Sequence, residues 1–146
     1  MEKLNPVSMP MDPNETFEPN LDGKEGNRSN PYVRLLGELQ FLSNAIRPSI
    51  MFVVSKLALY TANPSLKHIS AIKRILHYLA GTRDYGITYM DFTMHPNIFF
   101  GYADAAFGGD SKDHKLTMGY IFITRNRVIT WRSTLDLLPP PSPYNS

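Results

Sequence analysis

Three prolines, Pro31, Pro48 and Pro64, cut the middle of this 146-residue chain into helix-sized pieces. Proline has no N–H and a fixed φ, so it suits the first turn of a helix and breaks the interior. Pro31 and Pro64 each follow an asparagine, a good capping residue. Arg47 precedes Pro48 and is pushed out of the helical region, which ends one helix and opens the next. The spacing predicts three helices over 31–81. In the first, Tyr32, Leu35, Leu36, Leu39, Leu42 and Ile46 recur on one face. The second, about 48–62, is apolar nearly all round and so predicted to be buried on more than one side. The third carries a stripe of Leu66, Ile69, Ile72, Leu76 and Leu79, with Gly81 as its stop.

Beyond Tyr85 the period changes from helical to strand-like. Gly86 to Met90 is short and rich in β-formers, and Asn97 to Asp104 is apolar on both faces, as expected of a central strand. Thr117 to Thr124 and Arg127 to Arg132 predict two more strands, joined at Arg125-Asn126 by a tight turn. The fold class is therefore α+β. Residues 1–30, with four prolines, predict a disordered or loop-like arm with little to bury. Residues 31–85 are the helical segment, residues 86–134 a partial antiparallel sheet, and residues 135–146 a proline-rich tail not expected to fold.

The net charge of +2 is unevenly spread. Residues 1–30 hold six acids and three bases, whereas 31–90 hold seven bases against Glu38 and Asp84. On the third helix, Lys67, Lys73, Arg74 and His77 fall opposite the apolar stripe, at about 100° per residue. One oily and one basic face would let the helix pack on protein while meeting a phosphate backbone. The plainer reading is a solvated surface helix.

Other chemistry is thinly represented. With no cysteine there are no disulfides or thiolate metal sites, and the four histidines are scattered. The longest apolar run, Ile50 to Val54, is too short for a membrane span, and the acidic first thirty residues do not resemble a signal peptide. An intracellular setting, cytoplasm or nucleus, fits these features. Asp104, at the end of a predicted strand and followed by Ala105-Ala106, is the strongest candidate for chemistry. Divalent-metal hydrolysis of a phosphodiester needs several convergent carboxylates, and periodicity alone makes Asp104 a strand-terminal turn residue. Asp91, Asp110, Asp113, His95 and His114 lie in predicted loops, and Trp131 is read as a core residue.

The serial order of several motifs resembles copia-type retrotransposon Pol polyproteins. Tyr32, Gly37, Arg47-Pro48, Pro64, His68, the Lys73-Arg74-Ile75-Leu76 run and Gly81-Thr82 look like the segment after the reverse-transcriptase palm. The stretch GYADAAFGGD, then Thr117-Met118-Gly119-Tyr120 and ITWRS ending at Ser133, resembles the start of that family's RNase H domain. The likeness covers roughly residues 5–134. It implies a three-helix thumb- or connection-like unit followed by a partial, truncated RNase H-like antiparallel sheet.

The resemblance also implies that Asp104 matches the first RNase H carboxylate, a Mg²⁺ ligand in the parent family. Two departures put that chemistry in doubt. Ala106 stands where the family usually has a second acid, and Leu-Leu-Pro-Pro-Pro follows where a Thr-Glu-Ala-Glu-like run should supply the catalytic glutamate. The polymerase palm would lie before Met1. The expectation is thus a non-catalytic fragment of a degenerate element copy, with no cofactor or metal of its own and a tail arising from a frameshift or premature junction. An alternative is a module binding RNA–DNA hybrid through Lys67, Lys73, Arg74 and His77. A third is RNase H activity completed in trans.

Overall fold

Each of the three prolines stands at, or just before, the start of a helical segment in the computed structural model. The structure describes residues 5–20, 31–89, 99–107, 115–124 and 127–137. The chain divides into two units, residues 1–94 and 95–146, one helical and one a sheet, so the fold class is α+β. Among the described residues no helix is long and apolar enough to cross a membrane.

In the helical unit, α1 spans Pro31–Ala45, a short 3₁₀ turn spans Pro48–Ile50, α2 spans Met51–Ala58 and α3 spans Leu66–Gly81. The second helix is shorter than the predicted 48–62, because its ends are taken up by the 3₁₀ turn and by turns after Ala58. It is also not buried all round. Phe52 is exposed, and the Lys56 ammonium lies 5.0 Å from its ring centroid. Leu36 and Leu39 of α1, Val53, Val54 and Leu57 of α2, and Ile72 and Ile75 of α3 share one core. Tyr32 joins it with its hydroxyl donating to Leu57 O at 3.0 Å, and burial pushes that phenol up to about 12.

The buried stripe of α3 is His68, Ala71, Ile72, Ile75 and Tyr78. It is rotated from the predicted one: Leu66, expected in the stripe, is 82% exposed. The predicted stripe counted aliphatic residues and passed over His68 and Tyr78, which are buried; Ser65, not Asn63, is the N-cap, and Leu66 is the first helical residue. Asn30, the other expected cap, lies outside the described residues. Gly81 is not a helix stop either. It belongs to α3, whose C-cap is Thr82, and a Cβ added at Gly81 would lie 2.7 Å from Pro6 Cβ. Glycine is needed there for close approach of another segment.

Arg47 closes the far end of the unit. Its guanidinium is buried and donates to Thr82 O at 2.7 Å, Thr82 Oγ1 at 2.6 Å and Tyr85 O. Thr82 Oγ1 in turn donates to Tyr78 O at 2.8 Å. No carboxylate balances the charge among these partners. Carbonyls at the C-terminal end of α3, the negative end of its dipole, do so instead.

Among the described residues the sheet unit has three strands, β1 Phe99–Phe107, β2 Lys115–Thr124 and β3 Arg127–Leu137, antiparallel in the order β1-β2-β3. Three expectations need correction. Gly86–Tyr89 has no strand, Met90 lying outside the described residues. Among the described strands β1 lies at an edge rather than at the centre; its two apolar faces reflect a sheet with apolar residues on both sides. β3 runs to Leu137, three residues into the segment assigned to the tail, because Leu135–Leu137 pair with Lys115–Thr117. Thr124 pairs with Arg127, consistent with a tight turn, though Arg125-Asn126 themselves fall outside the described residues. Register places Phe100, Tyr102, Ile121 and Trp131 on one face, and Phe99, Tyr120 and Phe122 on the other. Phe99, Phe100 and Tyr102 are exposed and Trp131 is half-buried, so Trp131 is not a core residue of the kind expected.

Candidate nucleic-acid interface

The basic face of α3 begins just past the helix start. Ser65 Oγ accepts from His68 N at 3.4 Å, and the Ser65 N–H donates to His68 Nδ1 at 2.9 Å, a capping box with histidine in the place usually taken by glutamate. With His68, Ala71, Ile72, Ile75 and Tyr78 buried, the spacing of about 100° per residue turns Lys73 and His77 away from the core, with Lys67 and Arg74 on its flanks.

The structure does not leave this face open. Residues 5–20, without helix or strand, run along it as a strap. His77 Nδ1 meets Asn5 O at 2.7 Å, Arg74 Nε donates to Met9 O at 3.3 Å, and Lys67 Nζ donates to Thr16 O at 2.6 Å. A carbonyl only accepts, so His77 carries a proton on Nδ1. The strap ascends in sequence as α3 descends, so the two run in opposite directions. Pro6 fills the space over Gly81 at one end. At the other, Asn63 Nδ2 donates to Asn20 O at 3.0 Å.

The expectation that residues 1–30 have little to bury fails at Phe17, which is 4% exposed and part of the core. Tyr60 donates its hydroxyl to Phe17 O at 2.8 Å, and the Phe17 ring stands edge-on to Tyr60 and tilted against His68. Val7 and Met11 pack against the same core. Sequence periodicity had no means of finding this, because an irregular segment has no period. Phe17, the sole aromatic among residues 1–30, was the one available signal.

Of the four predicted contacts, Lys67, Arg74 and His77 are therefore drawn together by one strap, while Lys73 is exposed with no partner among the described residues. The strap bonds do not neutralise the bases, since their acceptors are neutral carbonyls. Its acids, Asp12, Glu15 and Glu18, form no ion pair with α3 among the described residues. Asp12 Oδ1 instead accepts from Asn14 N at 2.9 Å, shaping a turn.

Asp104 sits within β1, opposite Gly119, and is exposed. A shallow depression of about 400 Å³ beside it is lined by Gly119, Tyr120, Arg132 and Thr134. Among the described residues no group of three His, Cys, Asp or Glu could hold a metal ion. Asp91, Asp110, Asp113, His95 and His114 lie outside them. One exposed carboxylate beside Ala105 does not fit a Mg²⁺ that needs several oxygen ligands, so no chemistry is derived through such an ion.

Comparison with known proteins bears on both units. The chain is 36% identical over 133 residues to the retrovirus-related Pol polyprotein from transposon RE1 of Arabidopsis thaliana, covering 88% of this chain and 8% of that protein. It is 31% identical over 141 residues to the corresponding polyprotein from transposon TNT 1-94 of Nicotiana tabacum, covering 93% of this chain and 10% of that protein. The chain belongs to the copia-type retrotransposon Pol family. It spans about a tenth or less of the length of these Pol relatives. It is also 33% identical over 104 residues to secreted RxLR effector protein 161 of Plasmopara viticola, covering 70% of this chain and 71% of that protein. No family model and no solved structure matches the chain significantly.

Most of the residues that carried the family resemblance in the helical unit are fastenings of this fold. Tyr32, Arg47, Pro64, His68, Gly81 and Thr82 are buried or make the bonds and close approach described above. Lys73 is exposed and makes no such bond among the described residues, and at Gly37 a Cβ would meet nothing within 4 Å, so nothing in the structure explains that glycine.

Proposed function

We propose that this chain is a non-catalytic segment of a copia-type Pol polyprotein, a remnant of a degenerate element copy. It joins a thumb- or connection-like helical unit to the first strands of an RNase H-like sheet. The observation that carries the reading is the isolation of Asp104, exposed on an edge strand opposite Gly119 with no metal-binding group of acids among the described residues. An antiparallel three-strand meander with the aspartate on its first strand agrees with an RNase H-like start. Ala106 and the Leu-Leu-Pro-Pro-Pro run support the loss of the remaining carboxylates.

The test is cleavage of an RNA–DNA hybrid in Mg²⁺ by the full chain and by Asp104→Asn. No cleavage above the variant's background is expected. Cleavage by the chain alone that Asp104→Asn abolishes would sink the reading. Cleavage appearing only on mixing with an intact Pol protein, and lost in Asp104→Asn, would replace it with completion in trans.

A second reading is favoured by the state of α3. Lys73 is exposed, and the strap partners of Lys67 and Arg74 are neutral carbonyls rather than carboxylates. These bases would meet the phosphates of an RNA–DNA hybrid, with binding that falls steeply as salt rises. Charge reversal at Lys73 and Arg74 should abolish it, and a hybrid affinity indifferent to both salt and reversal would remove this reading.

A further inference from the structure

We infer that residues 5–20 are a self-docked strap that competes with a polyanionic backbone for the basic face of α3. The inference rests on the second reading above. From His77 to Lys67 the helix rises about 15 Å, and along that length the strap places a backbone carbonyl on each of three basic side chains. Three of the four basic side chains a phosphate oxygen would use there, Lys67, Arg74 and His77, are partly occupied by the chain itself, and Lys73 is left exposed. Asp12 and Glu15 fall between the contact points at Met9 and Thr16, so the strap adds negative charge over the same helix. A second anion arriving on this face meets both steric cover and like charge.

The strap is held unequally along its length. Phe17 is locked in the core, whereas the bonds at Asn5, Met9 and Thr16 are exposed to water. Such water-exposed bonds are individually weak. Pro6 rests on Gly81 only because that residue has no side chain. Residues 5–16 of the strap, of which Val7 and Met11 are only partly buried against the core, can therefore leave while Phe17 stays in place.

Gly81→Ala tests this directly. The added methyl evicts Pro6, while alanine is a better helix former than glycine, so α3 itself is retained. Binding of a fluorescent RNA–DNA hybrid to the full chain and to this variant should be measured from 50 to 200 mM salt. The variant is expected to bind about fivefold or more tightly at low salt, with a steeper salt slope as Lys67 and Arg74 gain phosphate contacts. A second measurement needs no perturbed packing. The chain has no cysteine, so Ser8→Cys carries a unique fluorophore on an exposed strap position. Saturating hybrid should raise the mobility of that label. Equal affinity and slope in both proteins, or a label that stays immobile at saturation, overturns the strap inference and leaves hybrid binding standing. No binding by either protein overturns both.

Discussion

His68 lies nearly flat on Tyr60, the ring centroids 4.2 Å apart and the planes 13° from parallel. The histidine is fully buried, its Nδ1 accepts the Ser65 N–H, and its Nε2 has no hydrogen-bond partner among the described residues. With Nδ1 an acceptor, the neutral ring carries its proton on Nε2. Burial, followed by the charge of neighbouring Lys67, pulls this histidine below its ordinary value. Protonation would cost the Ser65 N–H its acceptor.

A pH dependence of stability follows. The unfolded histidine titrates near its ordinary value of about 6.5, and the folded one lower. Between those values the unfolded chain binds the extra proton, so stability is full above about 6.5 and falls as pH drops toward the folded pKa. Urea unfolding of the helical unit should show a lower midpoint at pH 5.5 than at pH 7.5. In His68→Gln that difference should shrink, leaving the share of other groups; an unchanged difference would show that His68 is not its source.

Arg47 should be irreplaceable for a different reason. Its fork satisfies Thr82 O, Thr82 Oγ1 and Tyr85 O together. Arg47→Ala leaves buried acceptors without donors and is expected to cost about 3 kcal/mol. Arg47→Lys should recover little of it, since an ammonium cannot span the same acceptors. Thermal unfolding of the three proteins decides the matter, and a lysine variant as stable as wild type would mean the fork geometry is unimportant.

The helices were legible because proline and a 3.6-residue period are local signals. Pro31 and Pro48 begin their segments, and the α1 face at Tyr32, Leu36 and Leu39 is buried as its spacing implies. The rotation of α3 was not legible. The buried face includes His68 and Tyr78, which a count of aliphatic residues passes over, and the histidine that completes the cap carries no general capping signal. The strap was invisible for a deeper reason: its bonds link residues 51 to 72 positions apart through backbone carbonyls, which every residue has. The apolar run before Asp104 showed a strand but misplaced its end: Asp104, read as a strand-terminal turn residue, lies inside β1, whose pairing continues through Phe107. The edge placement of that strand was not legible, because strand order is fixed by pairing rather than by sequence period.

Phe17 links the strap to the core, and its removal separates two kinds of stabilisation. Phe17→Ala vacates a site against Tyr60 and His68 and should cost about 3–5 kcal/mol. Tyr60→Phe keeps the ring and deletes only the donation to Phe17 O, at about 1 kcal/mol. Chemical denaturation should rank the variants in that order. Equal losses would mean that the hydrogen bond, not the buried ring, holds the strap.

The sheet offers a test in which two residues must be changed together. Phe122 pairs with Gly101 across the β1–β2 ladder, and a Cβ at Gly101 would lie 2.6 Å from Phe122 Cε1. The ring also stacks on Phe99, centroids 5.3 Å apart. Gly101→Ala gains about 0.5–1 kcal/mol by restricting a flexible strand residue. Against this it must swing the ring off Phe99, losing about 0.5–1.5 kcal/mol of aromatic pairing. The single variant is therefore expected to be near neutral or slightly destabilising. In a Phe122→Ala background the clash is gone and the same substitution should stabilise, giving a coupling of about 1 kcal/mol in the double-mutant cycle. Hydrogen exchange of the β1 and β2 amides reads that coupling within the sheet. A coupling of zero would place the Phe122 ring away from Gly101.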